Sequence, residues 1–371
     1  MKLSDEFPLH PSLCYLNHAA VSPWPKRCEQ AVQDFSHENV QWGATHYPQW
    51  LQVEKNLRKQ FQQLLNAPDW QDIALVKNTS EGLSMIAYGL DWKAGDTIII
   101  SDEEFPSNRI VWESLQNKGV NVKEVALAGK DPEADIIAAC DESTRLISLS
   151  SVQYASGFRL KLKTLGQYCK ETGILFCVDA IQSLGAHVID VKEIHADFVV
   201  ADGHKWLLGP EGLAVFYSTD EARQRLSVNE FGWHMIEHAG DFNRKDWTVA
   251  RSARRFECGS PNMLASHALS ASLSLLLEVG MKTIERELES RVEHLIQKLD
   301  DHPNVTVISA REKERRAGIV TFVHASLSGL ELYQLLMGKQ VICANRGGGV
   351  RFSPHFYTPI EVIDKAIAAI P

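Results

Sequence analysis

Between about residues 70 and 220, short apolar runs alternate with segments in which apolar residues recur at helical spacing. The apolar runs occupy residues 73–76, 97–100, 122–126, 146–150, 175–178, 198–201 and 213–217. Helical windows separate several of these runs, at residues 80–89, 108–118 and 165–171. This alternation predicts an α/β domain whose mainly parallel sheet is covered on both faces. Because ligands bind outside the carboxyl ends of the strands in such sheets, we expect the chemistry just after each run.

The pattern changes after Pro261. Two long helical windows follow, at residues 262–278 and 282–299. Short apolar runs then lie near residues 305–308, 319–323, 341–344 and 350–352, and a closing helical window spans 359–367. We therefore expect a large domain over residues 14–260 and a smaller α+β domain over residues 261–371, with the segment 1–13 docked on the smaller one.

Composition and charge narrow the possible functions. The 371 residues are 44% hydrophobic and carry a net charge of −9, which argues against a nucleic-acid partner. The seven cysteines form no C-x-x-C pair, so they predict buried thiols of a reducing compartment and neither a disulfide framework nor a metal site. No apolar stretch approaches the ~20 residues that span a bilayer. Acidic residues stand near the N-terminus where a signal peptide has a basic head. We expect a cytoplasmic protein without a membrane partner.

Two of the strand ends carry the most informative side chains. Asp179 directly follows the run 175–178, and Lys205 follows the run 198–201. A carboxylate beside a pyridine nitrogen keeps that ring protonated, and a lysine amine in the same pocket can form an imine with an aldehyde. Gln182 lies one short turn beyond Asp179 and could donate to a phenolic oxygen of such a ring. Taken singly, an aspartate at a strand end is usually a turn or cap residue and a lysine is usually solvated. The two together favour a pyridoxal phosphate site.

The sequences VDAIQSLGA and DFVVADGHKWLLGPEGLAVFY resemble the class V aminotransferase family of fold-type I pyridoxal 5′-phosphate (PLP) enzymes. The family includes cysteine desulfurases, selenocysteine lyases, kynureninases and isopenicillin-N epimerases. The resemblance extends from YLNHAAVSP at residues 15–23 to VRFSPHFYTPIEVIDKA at residues 350–366. It implies a Schiff base between PLP and Lys205. It also implies a large domain with a mainly parallel seven-stranded sheet, a small α+β domain, and a homodimer with shared active sites.

The resemblance implies roles in binding the cofactor phosphate. Thr79 and Ser80 open a helix after a strand, where free N–H groups favour a phosphate, although an ordinary helix cap is the alternative. His204 matches a phosphate contact, and Ser260 matches a hydroxyl that reaches the phosphate of the neighbouring subunit. Asp202 departs from the family, since desulfurases have a phosphate-binding serine there and a carboxylate would repel the phosphate.

Other positions match the ring and substrate contacts of the family. Phe105 takes the place of the side chain that stacks on the cofactor ring, with a core phenylalanine as the alternative. Arg351 matches the arginine that binds the substrate α-carboxylate, a task that suits a planar guanidinium, and Arg346 could assist it. Asn17 and His18 are expected to line the substrate entrance.

Three functions are consistent with these residues. The first is an aminotransferase, or a lyase that cleaves a C–S or other bond at Cβ, acting on a small amino acid and possibly a keto acid. The second is an amino-acid epimerase, and the third is a catalytically inert PLP-binding sensor. The desulfurase loop R-x-G-H-H-C-A is absent from VICANRGGGVRF, and Cys343 lies in an apolar run that makes a poor nucleophile. We therefore expect chemistry without a catalytic cysteine.

Overall fold

A computed structural model describes residues 3–371 of the chain. The strands found in this part of the chain are Cys14–Tyr15 (β1), Ile73–Val76 (β2), Thr97–Ser101 (β3), Asn121–Val125 (β4), Thr144–Ser150 (β5), Leu175–Asp179 (β6), Phe198–Asp202 (β7), Ala214–Ser218 (β8), Val305–Val307 (β9), Val320–His324 (β10), Val341–Ile342 (β11), Ala344–Arg346 (β12) and Gly349–Phe352 (β13). Seven of them form one sheet in the order β2-β8-β7-β6-β5-β3-β4. Only β8 runs antiparallel to its neighbours in this sheet. The predicted mainly parallel seven-stranded sheet is confirmed.

The helices surround this sheet and link its strands. Over residues 3–371 they are Leu3–Glu6 (α1), Lys26–Trp42 (α2), Tyr47–Leu65 (α3), Thr79–Gly89 (α4), Ser107–Glu113 (α5), Pro132–Ala138 (α6), Leu162–Thr172 (α7), Asp220–Gln224 (α8), Met263–Val279 (α9), Met281–Asp300 (α10), Gly329–Gly338 (α11) and Ile360–Ala368 (α12). Short 3-10 helices lie at Trp70–Asp72, Gln116–Lys118 and Ala253–Phe256. The predicted helical window 108–118 is thus divided into α5 and a 3-10 turn.

The central sheet is buried on both faces. Successive side chains of a strand point to opposite faces, so Ile98 and Ile100 of β3 join one apolar cluster and Ile99 joins the other. All five residues of β3 are buried, as in a strand that helices cover on both sides. This burial explains why most of these strands appear in the sequence as continuous apolar runs, whereas the edge strand β4 is largely exposed and mixed in composition.

The C-terminal part has a sheet of its own. Its antiparallel strands follow the order β12-β13-β10-β9, and β1 pairs with β11 in a separate two-stranded sheet. The predicted strand 341–344 is therefore two strands of different sheets, which meet at the buried Cys343. The change of sheet at Cys343 ends β11 after two residues, and the turn at Gly347 and Gly348 ends β12 after three.

The N-terminal segment contacts both parts of the chain. The ring of Phe7 stacks on Tyr357 with 3.4 Å between the centroids, and Glu6 forms an ion pair with Arg27 of α2. Residues 1 and 2 of the predicted docking segment 1–13 lie outside the described residues. Cys14 packs in the same apolar cluster as β13. The division of the chain into domains at residue 260 stays a prediction.

No single helix between residues 3 and 371 has the length and apolar composition of a bilayer span. The consecutive helices α9 and α10 meet this criterion only when taken together, and the chain bends by 82° between them.

Candidate active site

A cavity of about 270 Å³ opens at the carboxyl ends of β6 and β7. Nine of the side chains expected from the sequence line it, namely Thr79, Ser80, Phe105, Asp179, Gln182, His204, Lys205, Arg346 and Arg351. They come from strand ends, from the start of α4 and from the C-terminal sheet. The structure therefore brings together residues that are up to 272 positions apart in the sequence, from Thr79 to Arg351.

Lys205 and Asp179 are the buried charged pair of this cavity. Asp179 is the last residue of β6, and Lys205 follows β7, the next strand of the sheet. Burial lowers the pKa of Lys205 to about 8, and the charge of Arg351 acts in the same direction. Burial raises the pKa of Asp179 to about 7. Burial therefore brings the pKa values of the amine and of the carboxyl group close together, near neutral pH.

The N-terminus of α4 faces the cavity with free polar atoms. Asn78 caps the helix by accepting from the N–H of Glu81, which leaves Thr79 free for another role. The buried hydroxyl of Thr79 has no hydrogen-bond partner in the described chain. The hydroxyl of Ser80 donates to Ser107 over 2.9 Å. Free donors at a helix N-terminus suit an anion, because the helix dipole adds partial positive charge there.

Asp202 turns toward this helix end and toward His204. One of its carboxylate oxygens accepts from the N–H of Thr79 at 3.4 Å. The other lies 3.2 Å from Nδ1 of His204, within ion-pair distance but without hydrogen-bond geometry. The carboxylate thus engages two of the groups that were expected to bind a phosphate.

Phe105 forms one wall of the cavity. Its ring is 39% exposed, and Nζ of Lys205 lies 5.6 Å from the ring centroid. The ring of Tyr154 meets Phe105 edge to face, with 5.1 Å between the centroids. An exposed aromatic face beside a lysine is the arrangement that the stacking role requires.

Gln182 is held by two contacts that fix its amide. Its Oε1 accepts from the indole N–H of Trp206 at 2.9 Å, and its Nε2 donates to the carbonyl of Ala19 at 3.0 Å. An amide nitrogen carries two hydrogens, so one donor remains for a ligand in the cavity.

Arg351 is a buried cation without an acidic partner. Its side chain is 2% exposed and donates to the carbonyl of Tyr154 at 2.6 Å. Its second amino group contacts Oδ1 of Asn17 at 3.5 Å, and its Nε has no partner within residues 3–371. Burial, with the nearby charge of Arg346, lowers the pKa of Arg351 to about 10. A buried guanidinium that meets only neutral oxygens is ready to bind an anion.

Asn17 and His18, which were expected at the substrate entrance, do not line this cavity, and neither does Ser260, which was expected to act on the neighbouring subunit. His18 is fully buried and does not line the cavity, since its ring binds the carbonyl of Ser353 and the hydroxyl of Tyr357. Asn17 contacts the cavity only through Arg351. Ser260 is exposed and borders another cavity, next to the segment that precedes α4.

Sequence reasoning missed Tyr154, Ser107 and Glu211, which also line the cavity. Ser107 opens α5 directly after Phe105 and Pro106, so a helix start next to a proposed ring contact was the available signal. Tyr154 follows β5 in an irregular turn, and no motif of the sequence marks it.

No cysteine lines the cavity in the described chain. All seven cysteines are free, and burial raises the pKa of each one. For Cys343, the thiol nearest to Arg346 in the sequence, the pKa rises to about 12. A thiol with a raised pKa holds little of the thiolate that acts as a nucleophile.

A separate buried cluster contains residue types that bind metals. Glu54, His234 and Glu257 present ligand atoms within 4.8 Å of one another. However, the guanidinium of Arg58 already donates to both carboxylates. The positive charge of Arg58 therefore balances the negative charge of these carboxylates, in place of a metal ion.

Comparison with known proteins agrees with this geometry. The family model for "Aminotransferase class-V" matches residues 14–361. A probable cysteine desulfurase of Pyrococcus abyssi is 28% identical, over 98% of this chain and 95% of its own.

Solved structures share the fold. An apo cysteine desulfurase from Thermococcus onnurineus NA1 superposes with a TM-score of 0.87 at 25% identity, over 99% of this chain and 96% of the other. The cystine C-S lyase C-DES, solved with its product cysteine persulfide, gives a TM-score of 0.91 at 22% identity, over 98% of both chains. The chain belongs to the class V aminotransferase family and is a pyridoxal 5′-phosphate-dependent enzyme of fold type I.

Proposed function

We propose that this enzyme is a lyase that cleaves a bond at Cβ of a small amino acid, such as a C–S bond, without a protein thiol. The observation that carries the proposal is the content of the cavity. It contains a buried lysine, a buried carboxyl group and an unpaired buried arginine, and no cysteine among the described residues. An unpaired arginine suits the α-carboxylate of a free amino acid, which argues against an inert sensor.

The residues present fit PLP. The free hydroxyl of Thr79 at the start of α4 supplies an unused donor for the phosphate. Ser80 and His204 border the same end of the cavity. Asp179 would hold the pyridine nitrogen, Gln182 the phenolic oxygen, Phe105 the face of the ring and Lys205 the aldehyde.

When bound, PLP supplies an electron sink for the negative charge that develops at the substrate Cα. Arg351 binds the α-carboxylate through its free N–H groups and so orients the substrate. The neutral amine of Lys205, favoured by its lowered pKa of about 8, takes the proton from Cα and returns it to the leaving sulfur. The carboxylate of Asp179 keeps the proton on the pyridine nitrogen.

The leaving group departs without attack by the protein. Burial holds the pKa of every cysteine above its ordinary value, so no thiolate is ready to accept sulfur from the substrate. The relatives named cysteine desulfurases and the fold neighbour named a cystine C-S lyase make cysteine and cystine the first substrates to test.

The experiment incubates the purified enzyme with L-cysteine or L-cystine and measures pyruvate, ammonia and protein-bound persulfide. Wild type and Cys343→Ala should form pyruvate at equal rates, with no persulfide on either protein. Persulfide on the wild type that disappears in Cys343→Ala would contradict the proposal. Amino-group transfer to a keto acid would instead make the enzyme an aminotransferase, and loss of optical rotation would make it an epimerase.

We also propose that the enzyme is a homodimer of the cytoplasm. Ser260 is exposed and lies outside the cavity of its own chain, as expected for a residue that contacts the phosphate of a partner. Seven free cysteines suit a reducing compartment.

A further inference from the structure

Glu104 is a buried carboxylate that the proposed chemistry does not use. It is 6% exposed and lies in the turn between β3 and α5, next to Phe105. No lysine, arginine or histidine of residues 3–371 forms an ion pair with it. A buried anion without a counterion is costly unless hydrogen bonds replace its water.

Five donor groups surround this carboxylate. The hydroxyl of Ser101 donates to Oε1 at 2.8 Å, and the amide of Asn108 donates to Oε2 at 2.8 Å. Ser150 donates twice, through its N–H at 2.9 Å and its hydroxyl at 2.5 Å. The amide of Gln153 adds a contact of 3.3 Å. Both oxygens accept, and the donors belong to β3, α5, β5 and the turn after β5.

This network connects the turn of Phe105 to the neighbourhood of Asp179. Ser150, the last residue of β5, pairs in register with Asp179 on the adjacent strand β6. After burial, the charge of Glu104 is a further cause of the raised pKa of Asp179. Glu104 therefore lies beside both the proposed stacking ring and the proposed partner of the pyridine nitrogen.

The ring of Phe105 is only partly packed against other side chains. Its ring is 39% exposed, and its ring neighbour in the described chain is Tyr154 alone. The hydrogen bonds of Glu104 fix the backbone of this turn and so contribute to the position of the ring.

We propose that Glu104 is a positioning residue that ties the turn of Phe105 to the carboxyl end of β5 and so sets the wall of the cofactor pocket. This inference rests on the proposed placement of the PLP ring against Phe105. It assigns Glu104 no direct contact with substrate or cofactor.

The test compares Glu104→Gln, Phe105→Leu and the double variant. For each variant we measure the visible circular dichroism of bound PLP, the PLP dissociation constant and the melting temperature of the apoprotein. Glu104→Gln should change the dichroism as Phe105→Leu does and weaken PLP binding roughly tenfold, the loss of about one hydrogen bond to a charged group. The double variant should add little to either single change, because the two residues act through one contact.

Glu133→Gln is the matched control. Glu133 is 2% exposed and binds Arg315 at 2.6 Å, away from the cavity. The Glu133→Gln substitution should lower the melting temperature and leave the dichroism of bound PLP and the PLP affinity unchanged. If Glu104→Gln does not fold, Ser150→Ala removes one donor and should change the dichroism in the same direction.

Two results would overturn the inference. The first is that Glu104→Gln or Ser150→Ala lowers stability but leaves the dichroism and the PLP affinity at their wild-type values. The second is that the effects of Glu104→Gln and Phe105→Leu on PLP binding are additive in the double variant. A Phe105→Leu variant with wild-type dichroism would overturn the ring placement itself, and the inference with it.

Discussion

Burial acts in opposite directions on the two charged residues of the cavity. Burial disfavours the charged form of each group, because that form is poorly solvated. The pKa of Lys205 therefore falls to about 8, and the pKa of Asp179 rises to about 7. Arg351 and Arg346 add positive charge near the amine and lower its pKa further. The two arginines that we propose for the substrate carboxylate thus also favour the neutral form of the lysine.

The first prediction concerns the pH dependence of PLP attachment to the apoprotein. Only the neutral amine attacks the aldehyde, so the rate should rise with pH through a midpoint near pH 8 and then level off. Arg351→Leu removes a positive charge, which should raise the pKa of Lys205 and move the midpoint to higher pH. Stopped-flow absorbance measures the rate.

Arg286→Leu is the control for this prediction, since Arg286 is exposed and pairs only with Glu287. It should leave the midpoint unchanged. A midpoint near the ordinary lysine value in the wild type would show that the cavity does not depress the pKa of Lys205. An equal midpoint in Arg351→Leu would show that the charge of Arg351 does not contribute to this shift.

The sequence revealed individual site residues where these residues follow a strand. Lys205 and Asp179 stand directly after apolar runs, so their convergence at one sheet edge followed from the pattern. His18 was different, because its partners Ser353 and Tyr357 lie more than 330 positions away and its burial depends on them. Tyr154 entered the cavity through an irregular turn that carries no sequence signal.

For the strands and helices, the extent of burial decides whether the apolar pattern of the sequence reveals the element. Six of the seven strands of the central sheet are largely buried, so their apolar runs located them. The edge strand β4 buries only Val125, and its sequence mixes apolar and charged residues.

Helix α2 was not predicted, and the structure shows why. It buries only Cys28 fully, leaves Ala31, Val32 and Phe35 half-buried and exposes Val40 and Trp42, so its apolar stripe is short and partly solvated.

The strand β13 carries Arg351 and requires a close approach at Gly349. A Cβ at this residue would lie 2.2 Å from the carbonyl oxygen of Phe322 on the paired strand β10. Gly349→Ala should therefore push β13 away, destabilise the protein by about 1–3 kcal/mol and raise the KM for the amino acid by displacing Arg351. Denaturant unfolding and steady-state kinetics measure the two effects.

Gly338→Ala, at the last residue of α11, is the matched control. A Cβ there would meet nothing within 4 Å, so stability should be unchanged or slightly higher. Wild-type stability and KM in Gly349→Ala would show that β13 tolerates the methyl group and that its spacing does not position Arg351.

At the scale of the whole molecule, the proposed dimer predicts active sites built from two chains. Mixing Lys205→Ala with Ser260→Ala protomers produces hybrid dimers. If Ser260 acts across the interface, each hybrid has one site with both residues intact and one site with neither. The mixture should then be more active than either parent, given that Ser260→Ala alone is impaired.

No recovery of activity in the mixture, with hybrid formation verified by mass, would place Ser260 in the site of its own chain or outside both sites. A monomer in sedimentation would contradict the shared site directly.

The central claim is that Lys205 carries the cofactor. Borohydride reduction of the yellow holoenzyme, followed by peptide mass spectrometry, tests it most directly. We expect one pyridoxyl group per chain, on Lys205, and no stable adduct in Lys205→Ala. A pyridoxyl group on another lysine of the wild type, or full turnover by Lys205→Ala, would contradict it.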